Sequence, residues 1–124
     1  MNNKKQTGNI GEDIACDYLV KNKYKIIARN FRTKFGEIDI IAKSPEKITI
    51  FCEVKTMRNN ELENSLIPED QMSPVKIKKF KKISEWYANK NTNIITRQGY
   101  RLDTITILLS GDEIPSINHY ENIV

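Results

Sequence analysis

Asp39 interrupts an apolar run, Ile38-Asp39-Ile40-Ile41, and Glu53-Val54-Lys55 closes another, the stretch from Lys47 to Lys55. In an extended chain, side chains alternate between faces. Ile48, Ile50, Cys52 and Val54 then share one apolar face, and Thr49, Phe51, Glu53 and Lys55 share the other. An acid and a base thus point the same way, at the end of a strand whose back is buried. Charges there are costly unless something compensates them. In the preceding run, Glu37, Asp39 and Ile41 share a face opposite Ile38 and Ile40. Pairing the two runs through the turn at Ser44-Pro45 brings Asp39 beside Glu53. Neighbouring carboxylates repel, and a hard divalent cation resolves the repulsion. An all-oxygen donor set suits magnesium, whereas no histidine or thiolate set suits zinc.

These side chains need elements to hold them. Ile10 to about Val20 reads as a helix: with Ile10 at zero, Ile14 falls at about 40°, Tyr18 at about 80° and Ala15 at about 140°. Gly8 and Gly11 project onto that face and let the helix lie close to a sheet, while Glu12, at about 200°, falls at the edge of the stripe. Three strands follow, Tyr24 to Phe31, Phe35 to Ala42 and Lys47 to Lys55, with connections short enough for an antiparallel meander. Thr56 to Met72 is polar and aperiodic and reads as a loop. Ser73-Pro74 supplies an N-cap and a first-turn proline for a helix to about Ala88, followed by a polar turn near Asn89–Asn93. Tyr100 to Leu109 is a last strong strand, stopped by Ser110-Gly111. The order is α-β-β-β-α-β in a single domain over residues 1–124, with 1–7 irregular and the structure of 112–124 open.

Length and composition set the outer limits. A chain of 124 residues, 39% hydrophobic and 29% charged, is one globular domain able to fold without staples. The lysines near the start have no apolar run behind them, and no stretch is long enough to span a bilayer, so no membrane is expected. Cys16 and Cys52 read as free thiols of a reducing, cytoplasmic compartment. The net charge of +4 is modest, but Lys76, Lys78, Lys79, Lys81, Lys82 and Lys90 face only Glu85 between Ser73 and Lys90. Such a basic segment points to a polyanionic partner.

Taken in order, Gly8 to Ala15 (GxxGExxA), Gly36 to Ile41 (GEIDII), Glu53 to Lys55 (EVK) and Arg101 to Asp103 (RLD) resemble the motifs of the YraN family of small bacterial nuclease-like proteins. The aspartate followed by Glu-x-Lys resembles the core motif of the wider restriction-endonuclease-like superfamily. The resemblance runs from Gly8 to about Leu109. It implies a central mixed β-sheet of about four strands flanked by helices, and kinship in fold with archaeal Holliday-junction resolvases. Branched or structured DNA is the substrate class it implies, a homodimer the assembly, and magnesium, with manganese as substitute, the cofactor. It implies that Asp39 and Glu53 bind the metal with the Val54 carbonyl as third ligand. Lys55 stands beside the attacking water or scissile phosphate, and Glu12 is an additional acid orienting the hydration shell. The implied reaction is hydrolysis of a phosphodiester by water that the metal activates.

The second helix adds a clue of its own. With Lys76 at zero, Tyr87 falls at about 20°, Phe80 at about 40° and Ile83 at about −20°, so Lys76 is centred on the apolar stripe. A lysine there must reach off the helix start towards a polar pocket, where a substrate phosphate is its expected partner. Lys76, Lys79 and Arg58 are the expected nucleic-acid contacts. Blander roles suit other residues: a structural ion pair for Arg101 and Asp103, packing for Trp86, and no catalysis for His119. Three functions stand against one another: a magnesium-dependent DNA endonuclease, a non-catalytic nucleic-acid-binding module that keeps the nuclease fold, and a regulatory protein whose metal site is structural.

Overall fold

A computed structural model describes residues 4–58, 74–90, 99–111 and 113–123. Its elements are α1 (Lys4–Lys21), β1 (Lys25–Thr33), β2 (Gly36–Lys43), β3 (Thr49–Arg58), α2 (Pro74–Lys90), β4 (Tyr100–Leu109) and β5 (Ser116–Tyr120). The strands form one five-stranded sheet in the order β1-β2-β3-β4-β5. β1, β2 and β3 make the expected antiparallel meander. β4 pairs with β3 in parallel over the full length of both strands, and β5 returns antiparallel along β4. The parallel pairing requires a crossover, and α2 lies within it.

Several expected boundaries move. α1 begins at Lys4 rather than Ile10, so residues 4–7 belong to a helix. β3 continues through Thr56 to Arg58, because β4 pairs with it as far as Arg58↔Leu109 and Met57 is buried there. The tail adds a strand, making the order α-β-β-β-α-β-β and the sheet five-stranded rather than about four-stranded. The reason for that strand is long-range: Ile117 packs on the core, and His119 is tied to Asp103 of β4. The remainder of the expected loop (59–73, with the Ser73 cap) and most of the turn after α2 (91–98) lie outside the described residues.

The two helices cover opposite faces of the sheet. Ala15, Cys16 and Leu19 of α1 pack with Ile40, Ala42, Ile50, Cys52, Ile105 and Ile107. Phe80, Ile83 and Tyr87 of α2 pack with Ile38, Ile41, Phe51 and Leu102. The α2 stripe matches its expected periodicity. The α1 stripe matches in part: Ala15 is buried and Ile14 and Tyr18 pack on the core, but Ile10 is 44% exposed, and Gly11, Cys16 and Leu19 are buried too. The face turned to the sheet combines the small residues Gly11, Ala15 and Cys16 with Leu19. A β-carbon on Gly11 would strike the Thr56 hydroxyl and stand 2.8 Å from the Thr56 Cβ, so glycine is what lets α1 approach β3. The buried stripe is centred nearer to Glu12 than expected, and Glu12 is half-buried. Both cysteines are free and buried, and no helix among the described residues is long and apolar enough to cross a membrane.

Candidate functional site

The site is built where β2 parts from β3. Their ladder runs from Lys43↔Thr49 to Ile40↔Cys52, and the paired residues stop there, just short of Asp39 and Glu53. On the other side of β2, the ladder with β1 passes from Arg29↔Ile40 to Phe31↔Ile38. The position between, opposite Asp39, is Asn30, whose backbone is left-handed at φ 52°. Asparagine is among the few residues that tolerate this conformation. Strict alternation fails here. Ile38 and Ile40, expected on one face, pack into different clusters, Ile38 towards α2 and Ile40 towards α1.

In the gap so formed, Asp39 Oδ2 accepts the backbone N–H of Val54 at 2.8 Å. The carboxylate thus takes over a hydrogen bond from the place where the β2–β3 ladder has ended. Glu53, beside it on β3, lines a cleft of about 190 Å³ with Gly36, Glu37, Lys76, Lys79, Phe80 and Ile83. Lys76 Nζ stands 3.9 Å from Glu53 Oε1. The lysine that sequence periodicity aimed at a polar pocket therefore lines one, and its partner there is an acid of the expected site. Lys79 lines the same cleft. Lys55 is exposed, and its charge acts on Glu53. Arg58 lies five residues further along β3, about 16 Å from Glu53 at the ordinary strand rise.

Electrostatics binds the acids into one group. Burial pushes the Glu53 carboxyl above the usual range, Lys76 pulls it down, Asp39 pushes it up and Lys55 lowers it again. Burial likewise raises Asp39; the Val54 N–H lowers it, Glu37 raises it and Lys76 lowers it. Glu12 is raised by burial and then by Asp39, with Arg29 and a hydrogen bond from Asn30 acting against them. Glu12 Oε1 is buried with no hydrogen-bond partner. Three carboxyls reached from α1, β2 and β3 thus resist ionisation in one neighbourhood. Burial is the first cause for each, and the charge of Asp39 adds to it at both Glu12 and Glu53.

Two residues of this neighbourhood carry no role in the sequence reading. Glu37 lines the cleft, and its spacing of two from Asp39 is a signal for it. Asn30 opposes Asp39 and bonds Glu12. Nothing in the local pattern of β1 marks it.

A model of the family described as "Uncharacterised protein family UPF0102" matches residues 11–107. The chain belongs to the UPF0102 family. A UPF0102 protein of Caldicellulosiruptor bescii is 35% identical over 117 residues, 94% of each chain. One from Geotalea uraniireducens is 38% identical over 119 residues, 95% of this chain and 88% of that one. One from Dictyoglomus turgidum is 38% identical over 108 residues, 87% of this chain and 86% of that one. The stretch matched by the UPF0102 model contains Glu12, Asp39, Glu53, Lys55, Lys76 and Lys79, and ends before β5.

The donor set fits a magnesium or manganese ion. All candidate donors are oxygens, and Asp39, Glu53 and Glu12 are each held above their usual pKa by the surroundings. Among the described residues no three His, Cys, Asp or Glu side chains form a ready-made cation cage. Two carboxylates completed by a main-chain oxygen and water agree with magnesium's habit of keeping several waters.

Proposed function

We propose that this protein is a metal-dependent DNA endonuclease of restriction-endonuclease-like fold, acting on branched or otherwise non-standard DNA. The observation that carries the proposal is the opened β2–β3 gap, in which Asp39 rests on the Val54 N–H beside Glu53. The ordered set of motifs shared in kind with nuclease-like proteins supports the same reading. Asp39 and Glu53 would hold the ion, with the Val54 carbonyl as third protein ligand. When bound, magnesium or manganese supplies an activated water and neutralises charge developing on the phosphate. The protein's own residues do the rest. The Val54 N–H fixes the carboxylate of Asp39. Lys55 presents a positive charge from the exposed end of the same strand, where a scissile phosphate reaches it. Lys76 exchanges Glu53 for a phosphate oxygen once Glu53 is otherwise neutralised. Glu12 accepts a hydrogen bond and so orients water over the site.

Cleavage of branched, flapped, single-stranded and duplex DNA in magnesium, beside Asp39→Asn and Lys55→Ala controls, tests the reading. Magnesium-dependent cutting that both substitutions abolish is the expected result. Absence of cutting on every substrate overturns it.

One observation favours a second reading, a nucleic-acid-binding module without catalysis. Glu53 already faces a protein cation, Lys76, at 3.9 Å, so its charge is compensated without an ion. Such a module binds DNA with strong salt dependence but cuts none of the panel.

A further inference from the structure

Next to the acidic cleft lies a second one of about 330 Å³, lined by Phe35, Val75, Lys78, Lys79 and Lys82. The two share Lys79, and their walls meet at consecutive residues, Phe35 in one and Gly36 in the other. Their chemistry differs sharply. The first contains Glu37 and Glu53; the second is lined by no acid at all. Its lining combines the Phe35 ring and Val75, 77% exposed to water, with three lysines. Phe35 stands in the turn between β1 and β2, fixed by a hydrogen bond from its own N–H to Thr33 Oγ1 at 3.0 Å. Lys34 and Lys82 hold their ammonium groups 5.4 and 5.1 Å from the centre of its ring.

We infer that this second cleft receives an unpaired nucleotide of a DNA strand, its base on Phe35 and its flanking phosphates on Lys34, Lys78 and Lys82. An apolar aromatic surface rimmed by cations matches a nucleotide, which is a flat ring attached to an anion. Charge complementarity with these lysines favours phosphate. Lys34 and Lys82 are exposed, so each exchanges the ring face for a phosphate oxygen by turning its own end, which bares Phe35 to the base. A paired base has both faces stacked and its edge engaged, and it does not enter such a slot. The inference deepens the endonuclease reading and rests on it for direction. A strand that leaves the acidic cleft past Lys79 enters the second one at once, so the preferred substrate carries an unpaired nucleotide next to the phosphate at Glu53.

Binding without cleavage separates this inference from the endonuclease reading. The probe is a fluorescein-labelled single-stranded DNA oligonucleotide, compared with an abasic strand and a blunt duplex of equal length. Anisotropy is read in magnesium with the Asp39→Asn protein and with variants built on it. Phe35→Leu, which keeps an apolar side chain but loses the ring, is expected to weaken single-strand binding about tenfold and to leave abasic binding unchanged. Phe35→Tyr keeps the ring and is expected to bind like its parent. Lys34→Ala with Lys82→Ala is expected to weaken both strands and flatten the salt dependence. Equal losses on the normal and abasic strands, no loss in Phe35→Leu, a loss in Phe35→Tyr, or tighter binding to the blunt duplex each overturns the inference. Failure of wild-type protein to cut DNA overturns the endonuclease reading alone.

Discussion

The carboxylate of Asp39 and the main-chain N–H of Val54 are 2.8 Å apart, across the point where two strands stop pairing. A side chain has taken the place of a backbone acceptor. The exchange fixes Asp39 next to Glu53 and leaves a gap in the sheet that Glu12 approaches from the α1 side, as its interaction with Asp39 records. Each residue of the group is therefore held by structure that a single substitution reaches.

Asp39→Asn keeps an acceptor for the Val54 N–H and removes one charge. The Asp39 carboxyl is raised in the folded protein, chiefly by burial. A raised carboxyl favours folding below its unfolded pKa, and that benefit is lost as pH rises through the folded value. In EDTA at neutral pH the variant is thus expected to melt above the parent, with the two curves converging in acid. Thermal melts across pH check this. A variant less stable at neutral pH contradicts the assignment of Asp39 to a charge-starved site.

Magnesium is expected to raise the melting temperature of the parent and not of Glu53→Gln. Any ligand present at a hundredfold excess over its dissociation constant stabilises by about 2.7 kcal/mol. A magnesium titration followed by differential scanning calorimetry reads the effect. An equal rise in both proteins assigns the ion to some other place.

Gly11→Ala is expected to destabilise and Gly8→Ala to stabilise. The new methyl group at position 11 meets the Thr56 side chain, whereas at position 8 nothing stands within 4 Å. Overpacking costs about 1–3 kcal/mol, and the helix preference of alanine over glycine returns roughly 1 kcal/mol of it. Urea denaturation of the pair reads the difference. Cleavage by Gly11→Ala should fall too, because displacement of α1 carries Glu12 away from Asp39.

Asp103→Ala is expected to cost about 3–5 kcal/mol, the usual penalty for stranding the partners of a buried charge. Asp103 is fully buried and accepts Arg101 Nε and Nη2 at 2.9 Å each, His119 Nε2 at 2.7 Å and the Asn122 N–H at 3.0 Å. Burial pushes this carboxyl up, but the bonds from His119, Arg101 and Asn122 outweigh it and hold it below the usual range. Its contribution is present above the unfolded pKa and is lost as pH falls through the folded one. Urea midpoints should therefore separate the variant from the parent at neutral pH and draw together in strong acid. Equal midpoints at neutral pH sink the assignment.

Much of the molecule was legible in its residues because much of it is local. The period of two in β2 and β3, the period near 3.6 in α2 and the turn at Ser44-Pro45 yield the meander, the α2 face and the neighbourhood of Asp39 and Glu53. The Arg101–Asp103 ion pair follows from two residues on one strand face. The resemblance to a family of small bacterial proteins agrees with UPF0102 membership along most of the chain. What only the tertiary structure decided depends on partners distant in sequence. α1 set Gly11 against Thr56, and this put Glu12 beside Asp39. β5 formed because Asp103 holds His119, although its own residues are a weak strand signal. Asn30 took a left-handed backbone opposite Asp39, the residue at which the β2–β3 ladder stops. Sequence periodicity reports which face of an element is apolar; how closely two elements approach, and where a ladder stops, are set by the pair of surfaces that meet.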